Sequence, residues 1–202
     1  MHKVPQVDPA VLTAIKNGDK NAYAAIYRIY YSRLYNYGYK FTRNISAIED
    51  CIQEVLTSFW TNRQKIETIN SFECYLFVSF RNRLMKGLQE KQLNTETLRD
   101  EDYQFELELS VDQLMINADS LFEQQTNLKA ALNKLTERQK EAIYFKYYEN
   151  LEYEQIAGIL NITTKATYKL VARAIAELRL VYQQKISSFL LLLTMSLTCI
   201  CF

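Results

Sequence analysis

Apolar positions recur at helical spacing in two blocks between Tyr153 and Leu178, and Asn161-Ile162 separates the blocks. The Thr163 hydroxyl can cap the second predicted helix. One stripe of that helix is mostly apolar: Thr167, Leu170, Val171, Ala174 and Leu178. The opposite face carries cations, one aromatic ring and small residues: Lys165, Tyr168, Lys169, Ala172, Arg173 and Ala176. The pattern predicts a helix-turn-helix whose second helix could enter a DNA major groove; the alternative is a helical hairpin with a solvated basic face.

Two helices are predicted at the start of the chain. The first is short, with Asp8 as its cap, Pro9 at its first position and Gly18 beyond its end. Asp19 can cap the second helix, which is long. An aromatic-rich stripe follows at helical spacing: Tyr23, Ile26, Tyr27, Tyr30, Leu34 and Tyr37. We interpret this stripe as core in preference to a binding platform.

A third helix is predicted from Ser46, because Ser46 and Glu49 have the spacing of a capping box. Its core stripe is Ile48, Ile52, Val55 and Phe59. Its opposite face is polar: Asp50, Gln53, Glu54 and Thr57. Trp60, the only tryptophan, stands at the end of the same helix.

Aromatic residues and cations lie close together in the segment from Phe72 to Lys91, which follows a predicted loop over 61–71. The rings are Phe72, Tyr75, Phe77 and Phe80, and the polar run after them is Arg81, Asn82, Arg83 and Lys86. Cations track a phosphate backbone and rings stack on bases of a single strand. A buried aromatic helix with a solvated basic end explains the segment equally well.

Charge is distributed unevenly along the chain, although the net charge is only +1. Residues 1–95 sum to +5, residues 96–123 to −8 and residues 124–202 to +4. This distribution predicts two basic domains joined by an acidic linker, with room in the linker for short helical pieces. Beyond the linker, Thr136 and Gln139 form a second capping box ahead of the helix-turn-helix.

Composition predicts an all-α fold of two small helical domains, since 202 residues contain only four Gly and two Pro. His2 is the only histidine, so a Ser-His or Cys-His catalytic pair has no base and we expect no enzyme. None of the four cysteines forms a CxxC motif, and no Gly-rich phosphate loop occurs, so neither a metal nor a cofactor is expected. The N-terminus lacks a signal-type apolar core, which favours a cytoplasmic protein.

Two separated segments resemble the extracytoplasmic-function group of bacterial RNA polymerase sigma factors. The segment AIEDCIQEVLTSFW resembles the polymerase-binding helix of the family's second conserved region, and LTERQKEAIYFKYYENLEYEQIAGILNITTKATYKLVARAIAELR resembles its fourth. Their order and the linker between them also match, over roughly Ala22 to Leu180. Tyr75 stands where the family usually has Trp, and Asn150 and Asn161 stand where it has Gly.

The resemblance implies a region 2-like domain over 1–95, a linker over 96–123 and a region 4-like domain over 124–184. The polymerase-binding residues would be Asp50, Gln53, Glu54 and Trp60. Those for the −10 element would be Phe72, Tyr75, Arg81, Asn82, Arg83 and Lys86. Those for the −35 element would be Thr164, Lys165, Tyr168, Lys169 and Arg173. The implied partners are core polymerase (β′ clamp and β flap), promoter DNA and an anti-sigma factor.

Other readings remain open from the residues alone. A one-component helix-turn-helix regulator would use the N-terminal helices as a sensor, but has no use for the face of Asp50, Gln53 and Glu54. A protein that sequesters partners through an apolar tail would make the basic faces incidental. That tail, 185–202, carries no charged side chain after Lys185 and is at the lower limit for crossing a bilayer. We expect it to pack on protein, with weak membrane association as the alternative.

Overall fold

The computed structural model describes residues 7–69, 71–92, 103–107 and 129–180, and every regular element in these ranges is helical. The first group of elements is α1 (Pro9–Lys16), α2 (Lys20–Gly38), α3 (Ile45–Thr61), a 3-10 helix (Arg63–Thr68) and α4 (Phe72–Gln92). The second group is α5 (129–132), α6 (Glu137–Ile143), a π-helical turn (Tyr144–Tyr148), α7 (Tyr153–Leu160) and α8 (164–180). The predicted all-α class is confirmed.

The first two helices begin where the sequence predicts them. Asp8 accepts a hydrogen bond from the backbone N–H of Ala10 at 2.8 Å, and Pro9 occupies the first helical position. Gly18 follows α1 with a φ of +88°, a left-handed conformation that costs glycine little. Asp19 then caps α2 by accepting from Asn21 at 2.7 Å and from Ala22 at 3.2 Å.

The first domain packs α2, α3 and α4 around one core. Its buried side chains come from the predicted stripes of α2 and α3 and from α4: Ile26, Tyr30, Leu34, Tyr37, Ile48, Ile52, Val55, Phe59, Leu76, Phe77, Phe80 and Leu84. Gly38 lies at the crossing, where an added Cβ would come within 2.8 Å of Phe80 and 2.9 Å of Ile48. The three helices can therefore approach closely at that point.

Five tyrosines form a ladder along α2, defined here as Tyr23, Tyr27, Tyr31, Tyr35 and Tyr39. Successive ring centroids are 5.8 to 6.3 Å apart. At one end Tyr23 packs on Trp60 at 4.8 Å, and at the other the Arg43 guanidinium lies 4.1 Å from the Tyr39 ring. All five rings are partly exposed, so the ladder lies at the edge of the core.

Two local predictions in the first domain are wrong. Helix α3 begins at Ile45 with Asn44 as its cap, because the Asn44 side chain accepts from the Ala47 N–H at 3.1 Å. The predicted capping box of Ser46 and Glu49 does not form, and Glu49 instead accepts from the Tyr31 hydroxyl at 3.0 Å. The predicted loop over 61–71 contains the 3-10 helix.

The second domain contains the predicted helix-turn-helix. Thr136 and Gln139 form the predicted capping box of α6, with hydrogen bonds of 2.9 and 3.3 Å. Asn161, at the corner between α7 and α8, has a φ of +51°, and Thr163 accepts from the Ala166 N–H at 3.2 Å to cap α8. Asn150 also has a positive φ, and Asn adopts that conformation more readily than most residues.

The two domains pack against each other, and α7 lies on α4. Residues 103–107, which belong to the predicted linker, lie between the domains and form no helix. Tyr103 and Phe105 are buried there. The predicted tail, 185–202, lies outside the described residues, as do Cys199 and Cys201. No helix among the residues that the structure describes is long and apolar enough to cross a bilayer.

Candidate functional site

The polar face of α3 is exposed as the sequence predicts. Asp50, Gln53 and Glu54 are all exposed. Glu54 forms an ion pair with Arg83 of α4, with 2.8 Å between carboxylate oxygen and guanidinium Nε. Both side chains of this pair are about half exposed, so the pair contributes little to stability. The face is an open, acidic-polar surface suited to a protein partner.

Trp60 does not join this face. Its ring packs on Tyr23, and the Arg63 guanidinium lies 4.7 Å from the ring centroid. Trp60 is partly buried at the end of α3. In this arrangement it supports the α2–α3 packing instead of offering an open contact.

The six α4 residues predicted to contact single-stranded DNA divide into two groups. Asn82, Arg83 and Lys86 are exposed. Phe72 is buried between Phe59 and Tyr30, with ring centroids 4.9 and 5.1 Å away. Tyr75 is partly buried, and Arg81 is only 8% exposed. Phe72 and Arg81 are therefore out of reach of a ligand in the arrangement seen here.

A cavity of about 790 Å³ lies between the two domains, beside the start of α4. The first domain lines it with Phe59, Asn62, Lys65, Ile69, Ser71, Cys74 and Tyr75, and the second with Glu154 and Gln155. The Gln155 side-chain amide donates to the Ser71 hydroxyl at 2.8 Å, and the Cys74 thiol lies 3.6 Å from the Gln155 carbonyl oxygen. Burial raises the pKa of the Cys74 thiol.

The loop residues of this cavity were not identified individually from the sequence. Asn62, Lys65 and Ser71 lie in a stretch whose periodicity is weak, and only the position of the loop before the basic aromatic helix pointed to them. They place an amide, an ammonium and a hydroxyl beside the rings of Phe59 and Tyr75. Rings and donors together can bind a nucleobase.

The basic face of α8 is exposed. Lys165, Lys169 and Arg173 project from it, and Thr164 at its start is partly exposed. Tyr168 is 50% exposed in the centre of the face. In the opposite stripe Thr167, Val171 and Ala174 are buried, and Leu170 and Leu178 are partly buried. The predicted division of this helix into two faces is confirmed.

Tyr153, which sequence reasoning did not select, holds Tyr168 in place. The two rings stack with centroids 3.8 Å apart and 25° between their planes. The Lys146 ammonium lies 4.7 Å from the centroid of the Tyr153 ring. Tyr153 opens α7 and Tyr168 lies in α8, so no single-helix periodicity could have paired them.

A buried carboxylate, Glu141 of α6, joins the two domains. It accepts hydrogen bonds from the hydroxyls of Tyr37 and Tyr103 and from Arg81, whose Nε is 2.8 Å away. Burial, and then the Glu141 charge, raise the pKa of the Tyr37 hydroxyl well above its ordinary value. Burial lowers the pKa of Arg81, but the charge and hydrogen bonds of Glu141 outweigh it and the net pKa is raised. Arg81 is therefore held by contacts within the protein.

A second ion pair crosses the same interface. The Nε of Arg33 in α2 lies 2.8 Å from Glu149, which also accepts from the Tyr144 hydroxyl at 2.9 Å. The Arg33 guanidinium lies 4.7 Å from the Tyr30 ring. Arg33 and Glu149 are both largely buried, so this contact orients the second domain on the first.

Within the described ranges, no group of three or more His, Cys, Asp or Glu side chains could hold a metal ion. Three surfaces of the described residues are candidates for binding: the α3 polar face, the α8 basic face and the surface around the interdomain cavity.

Comparison with known proteins identifies two regions of one family in the chain. The Sigma-70 region 2 model matches residues 26–93, and the Sigma-70 region 4 model matches residues 125–178. The chain is 24% identical over 153 residues to the ECF RNA polymerase sigma factor SigW of Bacillus subtilis (strain 168), covering 73% of this chain and 82% of that one.

Two solved structures share the fold. CnrH in complex with the cytosolic domain of CnrY has a TM-score of 0.53 and 13% identity, covering 87% of this chain and 96% of that one. The sigma factor RpoE in complex with the anti-sigma factor NepR from Bartonella quintana has a TM-score of 0.50 and 19% identity, covering 86% and 92%. With both region models matched in order and a curated relative of the same kind, the chain belongs to the extracytoplasmic-function group of the sigma-70 family of RNA polymerase sigma factors.

Proposed function

We propose that this sigma factor divides promoter recognition between three surfaces. The α3 face of Asp50, Gln53 and Glu54 binds the β′ clamp of core polymerase. The exposed end of α4 and the first-domain residues that line the interdomain cavity bind the melted −10 strand. The α8 face binds the −35 duplex, and the second domain also meets the β flap. The observation that carries the proposal is the presence of both region models in order, each with an exposed face of suitable chemistry.

The alternative of a one-component regulator is not favoured, because such a protein has no need of a region 2 domain. We also propose an anti-sigma factor as a regulatory partner, since both solved structures above are complexes. The protein would act in the cytoplasm with core polymerase. In vitro transcription with purified core polymerase and a genomic promoter library tests the function directly. Promoter-specific transcripts are expected, and their absence with active core polymerase would contradict it.

Charge reversal on α3 is expected to weaken polymerase binding. The variant Asp50→Lys/Glu54→Lys replaces two anions of this face by two cations. A polymerase surface that is complementary to the acidic face repels those cations, so affinity for core polymerase should fall by about tenfold or more. Binding is measured without DNA. Glu177→Lys, on α8, is the control for a charge change elsewhere. Equal affinity of the folded double variant and the parent would remove α3 as the docking helix.

Removal of cations from α8 is expected to weaken binding to promoter duplex. Lys165→Ala, Lys169→Ala and Arg173→Ala each delete an exposed cation, and each deleted cation that neutralises a phosphate should lower the slope of log affinity against log salt by about one. Lys134→Ala, exposed outside the α8 face, serves as control. If all three variants bind and transcribe as the parent does, α8 is not the reading helix.

Tyr153→Ala is expected to weaken promoter binding about three- to tenfold, because an aromatic pair is worth about 0.5–1.5 kcal/mol and its removal frees the Tyr168 ring. Titration of −35 duplex measures the change. Tyr147→Ala removes another exposed ring of the same domain and should leave affinity unchanged. A decrease of the same size in both variants would mean that the Tyr153 stack has no specific role.

A further inference from the structure

Residues 103–107 contain no helix, turn or bend, and their side chains alternate between buried and exposed, as the side chains of an extended chain do. Tyr103 and Phe105 are buried, whereas Gln104 and Glu106 are exposed. Successive side chains of an extended chain point in opposite directions, so one side of this short segment faces the protein throughout. The segment is thus anchored at two rings.

The two rings contact both domains. Tyr103 donates its hydroxyl hydrogen to Glu141 of α6, and its ring lies 5.4 Å from Phe41 of the first domain. Phe105 lies 5.0 Å from Phe41 and 5.8 Å from Tyr144 of the second domain. Large rings buried between two bodies favour the arrangement in which those bodies stay together.

The backbone of the segment is also held from both sides. The Phe105 N–H donates to the Glu137 carboxylate at 2.6 Å, and the Glu106 N–H donates to the Lys40 carbonyl oxygen at 2.8 Å. Arg43 and Glu106 form an ion pair at the surface. The first of these contacts belongs to the second domain and the other two to the first, so the segment bridges them.

The arrangement that the segment supports covers the side of α4 assigned above to single-stranded DNA. Gln155 of α7 binds Ser71, and Gly158 of α7 approaches Cys74 so closely that an added Cβ would be 3.0 Å from the sulfur. Arg81 is buried against Glu141. A nucleic acid strand and α7 cannot occupy this side of α4 together.

We propose that residues 103–107 act as an intramolecular strap, which holds the two domains closed over α4 and lowers affinity for single-stranded DNA until it is released. The strap itself rests on contacts within the chain. The identity of the excluded ligand rests on the function proposed above. Release would expose Arg81 and the first turns of α4 at the same time.

The test uses the full chain, with Tyr103→Ala/Phe105→Ala as the released form and Gln104→Ala as a matched control on the exposed side of the strap. Small-angle X-ray scattering reports the radius of gyration, and fluorescence anisotropy reports binding of a labelled pool of random single-stranded 12-mers. We expect the double variant to expand. Its affinity for the pool should rise by up to about tenfold if the open form is about a tenth of the parent population. The control should match the parent in both.

Glu137→Ala is a second variant, which removes the backbone anchor of Phe105 without deleting a ring, and circular dichroism checks that each variant is folded. Unchanged dimensions in the folded variants would overturn the strap and leave the assignment of α4 intact. Expansion without any gain in affinity would overturn the masking of α4 and count against its assignment as the single-strand surface. Expansion with tighter binding, in either released variant and not in Gln104→Ala, is the result that the strap requires.

Discussion

Replacing Glu141 by alanine is expected to lower the free energy of unfolding by about 3–5 kcal/mol, because the change leaves the Arg81 charge buried without its partner. Glu141 is fully buried, and Arg81 has little access to solvent. The hydroxyls of Tyr37 and Tyr103 would lose their acceptor as well. Urea unfolding followed by circular dichroism measures the decrease.

The double variant Glu141→Leu/Arg81→Met separates the charge from the packing. It removes both ions and keeps apolar volume, so it should recover part of the stability that Glu141→Ala loses. Recovery should be incomplete, since the two tyrosine hydroxyls still have no acceptor. Equal decreases in the single and double variants would mean that the uncompensated charge is not the cause.

Replacing Phe59 by alanine is expected to cost about 3–5 kcal/mol of stability, the usual range for deleting a buried aromatic side chain. Phe59 is 1% exposed, and its ring packs on Phe72 at 4.9 Å and on Tyr75 at 6.3 Å. Its removal would leave a void where α3 meets α4 and would deform the cavity that Phe59 lines. Chemical denaturation is again the measurement.

Two controls accompany this change. Phe59→Leu retains much of the buried volume and should cost less than Phe59→Ala. Thr57→Ala alters an exposed position of the same helix and should change stability by no more than about 0.5 kcal/mol. A similar decrease in Thr57→Ala and Phe59→Ala would show that loss of the buried ring is not the cause, since alanine raises helix propensity at both positions.

The helices and their faces could be predicted because they depend on residues close in sequence. The stripe of Ile48, Ile52, Val55 and Phe59 and the two faces of α8 follow from the 3.6-residue period alone. Where two local signals competed, the sequence was ambiguous: Asn44 and Ser46 are both good caps, and only the backbone at Asn44 decides between them.

The interdomain contacts could not be predicted in the same way. Glu141 meets Tyr37, Arg81 and Tyr103, which are 104, 60 and 38 residues away in the chain. Arg81 follows an aromatic run. The sequence there does not distinguish an arginine that contacts phosphate from one that pairs with a buried carboxylate. One signal was available: Glu141 lies beside Ala142 and four residues before the buried Phe145, on the apolar side of α6.

The tyrosine ladder of α2 gives the protein an internal optical reporter. Trp60 is the only tryptophan in the chain, and Tyr23 at the end of the ladder lies 4.8 Å from it. Successive rings are 5.8 to 6.3 Å apart. Excitation energy absorbed by any tyrosine of the ladder can therefore transfer from ring to ring to the Trp60 indole, which then fluoresces. Separation of α2 from α3 breaks the last step, so tyrosine emission should appear in the unlabelled protein at the moment when the first domain opens.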